Sequence, residues 1–182
     1  MTRERLAEAE EAGRRATSYG AFLFSDTCRT KGGMGLHMYE VTVTTPFASV
    51  AYAVFESKKK KSPMDLASWP LDPPEKQSLI ITVDPAALYP AELPPVPPHD
   101  VAKVFLRRGG QITEPIRSDT HEVLFPAAGG QVSKHRGGAF YFPLASFASA
   151  DGDLEIVVIP AEAEQGAEAV LKIKKKDLVK LR

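Results

Sequence analysis

The stretch Leu36-His37-Met38-Tyr39-Glu40-Val41-Thr42-Val43-Thr44-Thr45 decides the fold class. Tyr39, Val41 and Val43 fall on one parity and Glu40, Thr42 and Thr44 on the other, which is the period of a strand with one face buried. The segment that follows, Phe47–Glu56, carries Val50, Tyr52 and Val54 on one parity and Phe47, Ala51, Ala53 and Phe55 on the other. Apolar on both faces, it reads as a central strand.

Working outward, Ala21–Phe24, Gln77–Asp84, Val101–Arg107, Glu122–Phe125, Ala139–Phe142, Leu154–Ile159 and Ala169–Lys175 complete about nine short strand candidates. In the last, Leu171 and Ile173 turn inward while Lys172 and Lys174 turn outward, which suits an edge or solvent-facing strand. Gly-Gly pairs at 32–33, 109–110, 129–130 and 137–138, and Gly152 before a strand, read as turns that need positive φ. Short strands punctuated in this way predict a mainly β protein, an antiparallel β-sandwich of Ig-like or jelly-roll-like rhythm. That likeness concerns architecture and carries no function.

One helix is expected, over residues 3–16, with Thr2 as its N-cap. Its apolar side is thin: Leu6, Ala9, Ala12 and Ala16. A helix so short is marginal alone. These four residues are therefore expected to form an interface with a protein partner or a second copy of the chain. The domain reading is residues 1–19 as this helix and 20–182 as a single β-sandwich domain. Ten of the 15 prolines lie between Pro63 and Pro98. They predict Pro-rich crossing loops at 63–76 and 90–98, because proline cannot donate to a sheet ladder.

At 182 residues, with 43% hydrophobic residues, the chain can bury a core without metals or disulfides. Its single cysteine, Cys28, excludes an intrachain disulfide and any zinc site built on a pair of cysteines. Lys+Arg and Asp+Glu both number 23. That balance argues against a globally basic nucleic-acid binder, so nucleic acid is not an expected partner. No stretch predicts a membrane-spanning helix, and the charged N-terminus is not a secretory signal. The chain as written reads as cytoplasmic; a removed leader would make it periplasmic or secreted.

No catalytic template is met and no cofactor is expected. Lys31-Gly32-Gly33-Met34-Gly35 lacks the phosphate-loop spacing and precedes a strand rather than a helix. No GxSxG occurs, and Ser57-Lys58-Lys59-Lys60 matches SxxK only through a lysine run. The candidate metal ligands are Asp119 and His121, which share a strand face, with His135 in the next hairpin. Exposed turn histidines are the plainer reading, so no tightly bound metal is expected. Lys58, Lys59, Lys60 and Lys61 form the one concentrated charge, and Trp69 stands between prolines as a candidate exposed anchor. The leading expectation is a non-enzymatic structural or protein-interaction module within a larger assembly. The rivals are a hydrolase or metal-dependent enzyme using His121, Asp119 and His135, and a polyanion binder using the lysines.

Overall fold

The computed structural model describes residues 2–31, 37–61, 78–87, 98–127, 130–145, 152–161 and 167–178. Among the described residues nine antiparallel strands form one open sheet: β1 Phe24–Lys31, β2 Met38–Thr44, β3 Ser78–Ala86, β4 Val101–Arg108, β5 Gln111–Thr113, β6 Arg117–Pro126, β7 Val132–Pro143, β8 Leu154–Pro160 and β9 Glu168–Ile173. Their spatial order is β5-β4-β8-β9-β1-β2-β3-β7-β6. The expected mainly β, antiparallel character is present, as one continuous sheet rather than two separate ones.

β1 is the hinge of that sheet. Phe24 to Arg29 pair with β2, whereas Thr30 and Lys31 pair with Ala169 and Glu168 of β9. One strand thus serves two halves. Buried side chains from both halves join a single cluster, with Tyr39, Val41, Leu79, Ile81 and Phe142 from one and Val104, Leu106, Leu154, Ile156 and Ile173 from the other. β4 approaches β3 and β7, which are not its neighbours in the sheet. The expected alternation of β9 is present: Leu171 and Ile173 are buried while Lys172 faces solvent against Asp153. β9 lies inside the sheet, so its lysine marks a solvent-facing strand and not an edge.

Helix α1 spans Arg3–Arg15, close to expectation, and the Thr2 side chain accepts from Arg5 N at 3.3 Å. The segment read as a central strand is instead a second helix, α2, Pro46–Lys60. The local chemistry explains it. Thr45 caps the helix by accepting from Ala48 N at 3.2 Å, and Pro46 occupies the first turn, where its missing N–H costs nothing. Val50 and Val54 are four residues apart and so share one helical face. Lys61 ends the helix in the left-handed conformation, φ 53°. A short helix, α3, Lys175–Leu178, follows β9.

α1 lies on α2. Leu6 and Ala9 pack with Phe47, Val50 and Val54, and Ala12 and Ala16 with Ala51, Phe22 and Phe55. Gly13 sits where any Cβ would overlap the Ala51 carbonyl oxygen. The face expected to meet a partner, Leu6, Ala9, Ala12 and Ala16, is therefore covered within the chain. A partner on it would have to displace α2.

The expected crossing loops, 63–76 and all but the last residue of 90–98, lie outside the described residues, and Trp69 with them. Pro98 is described and buried.

Candidate functional site: the polar sheet face and its edge

On β2 and, from Leu79 on, β3 odd residues face the core and even residues the exterior, whereas no residue of β6 is buried. Register brings Thr27, Glu40, Asp84, Gly137 and His121 into one row across five strands. β7 stands between Asp84 and His121, yet His121 Nε2 reaches Asp84 Oδ1 at 2.6 Å. Gly137 makes this possible, since a Cβ there would occupy the space of that contact. The 137–138 pair, expected as a turn, is thus mid-strand, and its lack of side chain is used for close approach. By contrast, Gly109 and Gly110, at φ 53° and 83°, form the expected two-residue hairpin turn between β4 and β5.

Asp119 and His121 lie on the same face of β6, as their spacing implies. Their partners differ, however: Asp119 pairs with Arg117 at 3.0 Å, and His121 with Asp84. His135 Nδ1 turns to Asp100 Oδ1 at 3.3 Å and stacks edge-on to Phe125. The three candidates do not converge, and among the described residues no group of three or more His, Cys, Asp or Glu is arranged to hold a metal. An Asp–His pair that activates a protein nucleophile needs a hydroxyl or thiol within hydrogen-bond reach of the imidazole. No such group is hydrogen-bonded to His121 among the described residues.

A second polar cluster sits at the end of the sheet where β2 begins. His37 is buried, its N–H bonded to Thr30 Oγ1 at 3.1 Å, and its ring lies 3.9 Å from the His99 ring, centroid to centroid. Burial, and secondarily His99, lowers the His37 pKa. Asp100, next in the chain, accepts from Arg136 N at 3.0 Å as well as facing His135. Tyr39 is fully buried beneath them, and burial raises its pKa, with Cys28 and Asp100 adding to the effect. Among the described residues, neither the Tyr39 hydroxyl nor His37 Nδ1 has a hydrogen-bond partner. Cys28 pairs with Tyr39 in register, and burial, with Asp26 adding, pushes its thiol up to about 12. A thiol held protonated in that way is a poor nucleophile.

The lysine run forms the last turn of α2. Lys58 Nζ donates to Arg14 O at 2.9 Å, Lys60 pairs with Glu56 at 3.3 Å, and Lys59 lies 5.7 Å over the Tyr19 ring. Cations suit a helix C-terminus, so three of the four lysines have local work. Beside them an open cleft of about 390 Å³ is lined by Tyr19, Gly20, Leu23, Tyr52, Ser25 and Thr42.

Sequence reasoning missed the edge. β6 ends the sheet order and is ten residues long, whereas β5 at the other end has three. Leu124 on β6, Ile116 just before it and Val132 on β7 are among the most exposed large apolar residues, at 60–61%. The signal available was the alternation of Arg117, Asp119 and His121 with Ser118, Thr120 and Glu122, polar on both parities, as an edge strand without cover can be. No family model matches the chain, and no curated protein or solved structure does either.

Proposed function

We propose that this chain is a non-enzymatic interaction module that works within an assembly, its folded sheet serving as a sandwich-like frame for surfaces. The observation that carries this reading is the long open edge β6 with Ile116, Leu124 and Val132 exposed around it. Exposed apolar residues beside unpaired strand backbone are what another chain would cover. The state of the titratable groups supports the same reading. His121, Asp119 and His135 each face a different side-chain partner, and Cys28 is buried with a raised pKa. The enzyme reading keeps one observation, the Asp84–His121 contact, with no protein nucleophile hydrogen-bonded to His121 among the described residues.

The test is cross-linking mass spectrometry on the protein in extracts of its own cells. Cross-links to other chains, including further copies of itself, should concentrate between residues 111 and 136. Links spread evenly over the molecule, or confined to the α1–α2 side, would overturn the reading.

A further inference from the structure

The hydrogen-bond phase of the β6–β7 hairpin says which way the edge points. Ala127 N donates to Gln131 O at 2.8 Å, in the register that pairs Phe125 with Ser133, Val123 with His135, His121 with Gly137 and Asp119 with Ala139. In an antiparallel pair every second residue exchanges both backbone bonds with its neighbour. The odd residues of β6 therefore spend their N–H and C=O groups on β7. Ser118, Thr120, Glu122 and Leu124 turn theirs outward, where the sheet ends among the described residues.

We propose that this edge pairs with β6 of a second copy of the chain, antiparallel, about a two-fold axis at Thr120. The proposal rests on the interaction reading above and names its partner. Symmetry requires residue i of one copy to meet residue 240 − i of the other, and the sequence is more complementary to itself in that register than in those one residue to either side. Thr120 meets Thr120, a favourable cross-strand pair. Ser118 meets Glu122, so all the outward backbone groups of 118–122 are matched in phase. On the other face Asp119 meets His121 at a closely spaced position, a pair of opposite sign whenever the imidazole carries its proton. Just past the ladder, the exposed Ile116 side chain of one copy comes near the exposed Leu124 side chain of the other, while Ile116 N stays bonded to Tyr141 O of β7. Moving the axis one residue back sets Asp119 against Asp119. Moving it one residue forward sets His121 against His121 and removes the Ile116–Leu124 match.

The dimer would continue the sheet across the interface to eighteen strands, twice the nine of one chain. The row Asp84–His121 would then extend to Asp119 of the other copy. β6 alone offers a small interface, so association is expected to be weak and concentration-dependent.

The test uses the full chain. Sedimentation velocity over a concentration series should show a monomer–dimer equilibrium, and a monomer at every soluble concentration overturns the proposal. Thr120→Pro removes one outward N–H at the axis and no bond to β7, a position where edge strands tolerate proline. It should abolish the dimer. Should that variant fold poorly, Leu124→Lys, on an exposed side chain, should raise the dimer dissociation constant about tenfold or more, as a loss of ~1.4 kcal/mol would. Register is read by oxidative cross-linking. Thr120→Cys should link to itself, since directly opposed Cα atoms lie ~5.5 Å apart, within disulfide reach. Ser118→Cys and Glu122→Cys should each stay unlinked alone, four residues or ~13 Å out of register, and should link when mixed. A dimer in which Thr120→Cys does not link overturns the axis and with it the proposal. A purified monomer whose extract cross-links still fall on β6 would overturn the second copy as partner while leaving the interaction reading in place.

Discussion

Two buried seams of this molecule are built from opposite materials. Between α1 and α2 the contact is made of Leu6, Ala9, Ala12, Ala16, Val50, Ala51 and Val54, closed by Gly13 against a backbone carbonyl. At the start of β2 the buried or half-buried groups are His37, Tyr39, His99, Asp100 and His135, and among the described residues the Tyr39 hydroxyl and His37 Nδ1 go unpaired. The first seam is held by fit and dispersion, so it is sensitive to volume and indifferent to protons. The second is held by packing in spite of its polar atoms, which burial penalises. One seam is therefore damaged by adding atoms. The other is damaged by adding a proton and improved by removing an oxygen.

The largest effect expected is at the helix seam. Gly13→Leu forces α1 away from the Ala51 carbonyl and uncovers Val50 and Val54. Overpacking against backbone costs about 3 kcal/mol, and at ~2–4 °C per kcal/mol for a chain of this size the melting temperature should fall by roughly 6–12 °C. Thermal circular dichroism at pH 6 and pH 8 should give the same fall, because the overlap created is between an apolar side chain and a backbone carbonyl, neither of which titrates. An unchanged melting temperature would mean that α1 contributes little to the fold and would return its apolar face to the search for a partner.

How much of this was legible before the structure differs between the seams. α1, its Thr2 cap and its thin apolar face could be read from composition and spacing. Its partner could not, because Phe47–Glu56 was read by parity. Apolar residues on both parities describe a central strand such as β8, where Leu154, Ile156, Val157 and Val158 are all buried. They equally describe a helix buried on one broad side. The discriminating signal was local: Thr45-Pro46 ahead of an alanine-rich run is a helix start, and a cap outranks periodicity over so few residues. β1 was nearly invisible for the opposite reason. Only Cys28 and Thr30 among residues 25–30 are buried, so its pattern is almost wholly polar. At the site, the shared face of Asp119 and His121 followed from their spacing. Asp84 as the partner of His121 did not, since that contact depends on β7 separating β3 from β6 and on Gly137 being a strand residue instead of a turn.

The second prediction exposes the polar seam to acid. Burial, and then His99, lowers the folded His37 pKa below its unfolded value near ~6.5. Stability from this group is fully present above the unfolded value. It is lost as pH falls from there toward the folded value, because the unfolded chain takes up the proton first. The melting temperature should therefore decline on acidification below about pH 6.5. His37→Gln should flatten that decline between pH 7 and pH 5. A variant that keeps the full slope would place the acid sensitivity outside this seam, and the contrast with the α1–α2 contact would lose its basis.

The smallest expected effect has the sign that separates the seams most sharply. Tyr39 is fully buried in the sheet core, paired in register with Cys28 and Pro85, and its hydroxyl makes no hydrogen bond among the described residues. Removing an unpaired buried hydroxyl takes away a desolvation cost without breaking a bond. Against that stands the small void left by one oxygen, which removes a few dispersion contacts. The first of these outweighs the second, so Tyr39→Phe should be neutral to stabilising by up to ~1 kcal/mol. The melting temperature should hold or rise by a few degrees. The same change should remove any loss of stability tied to ionising this phenol, whose burial already raises its pKa. A clear destabilisation would show that the hydroxyl has a partner in solution, with the His37–His99–Asp100 groups beside it as the first to examine. The polar seam would then be a satisfied network rather than a strained one, and replacing His99 and Asp100 in the Tyr39→Phe background would show which group supplies the bond.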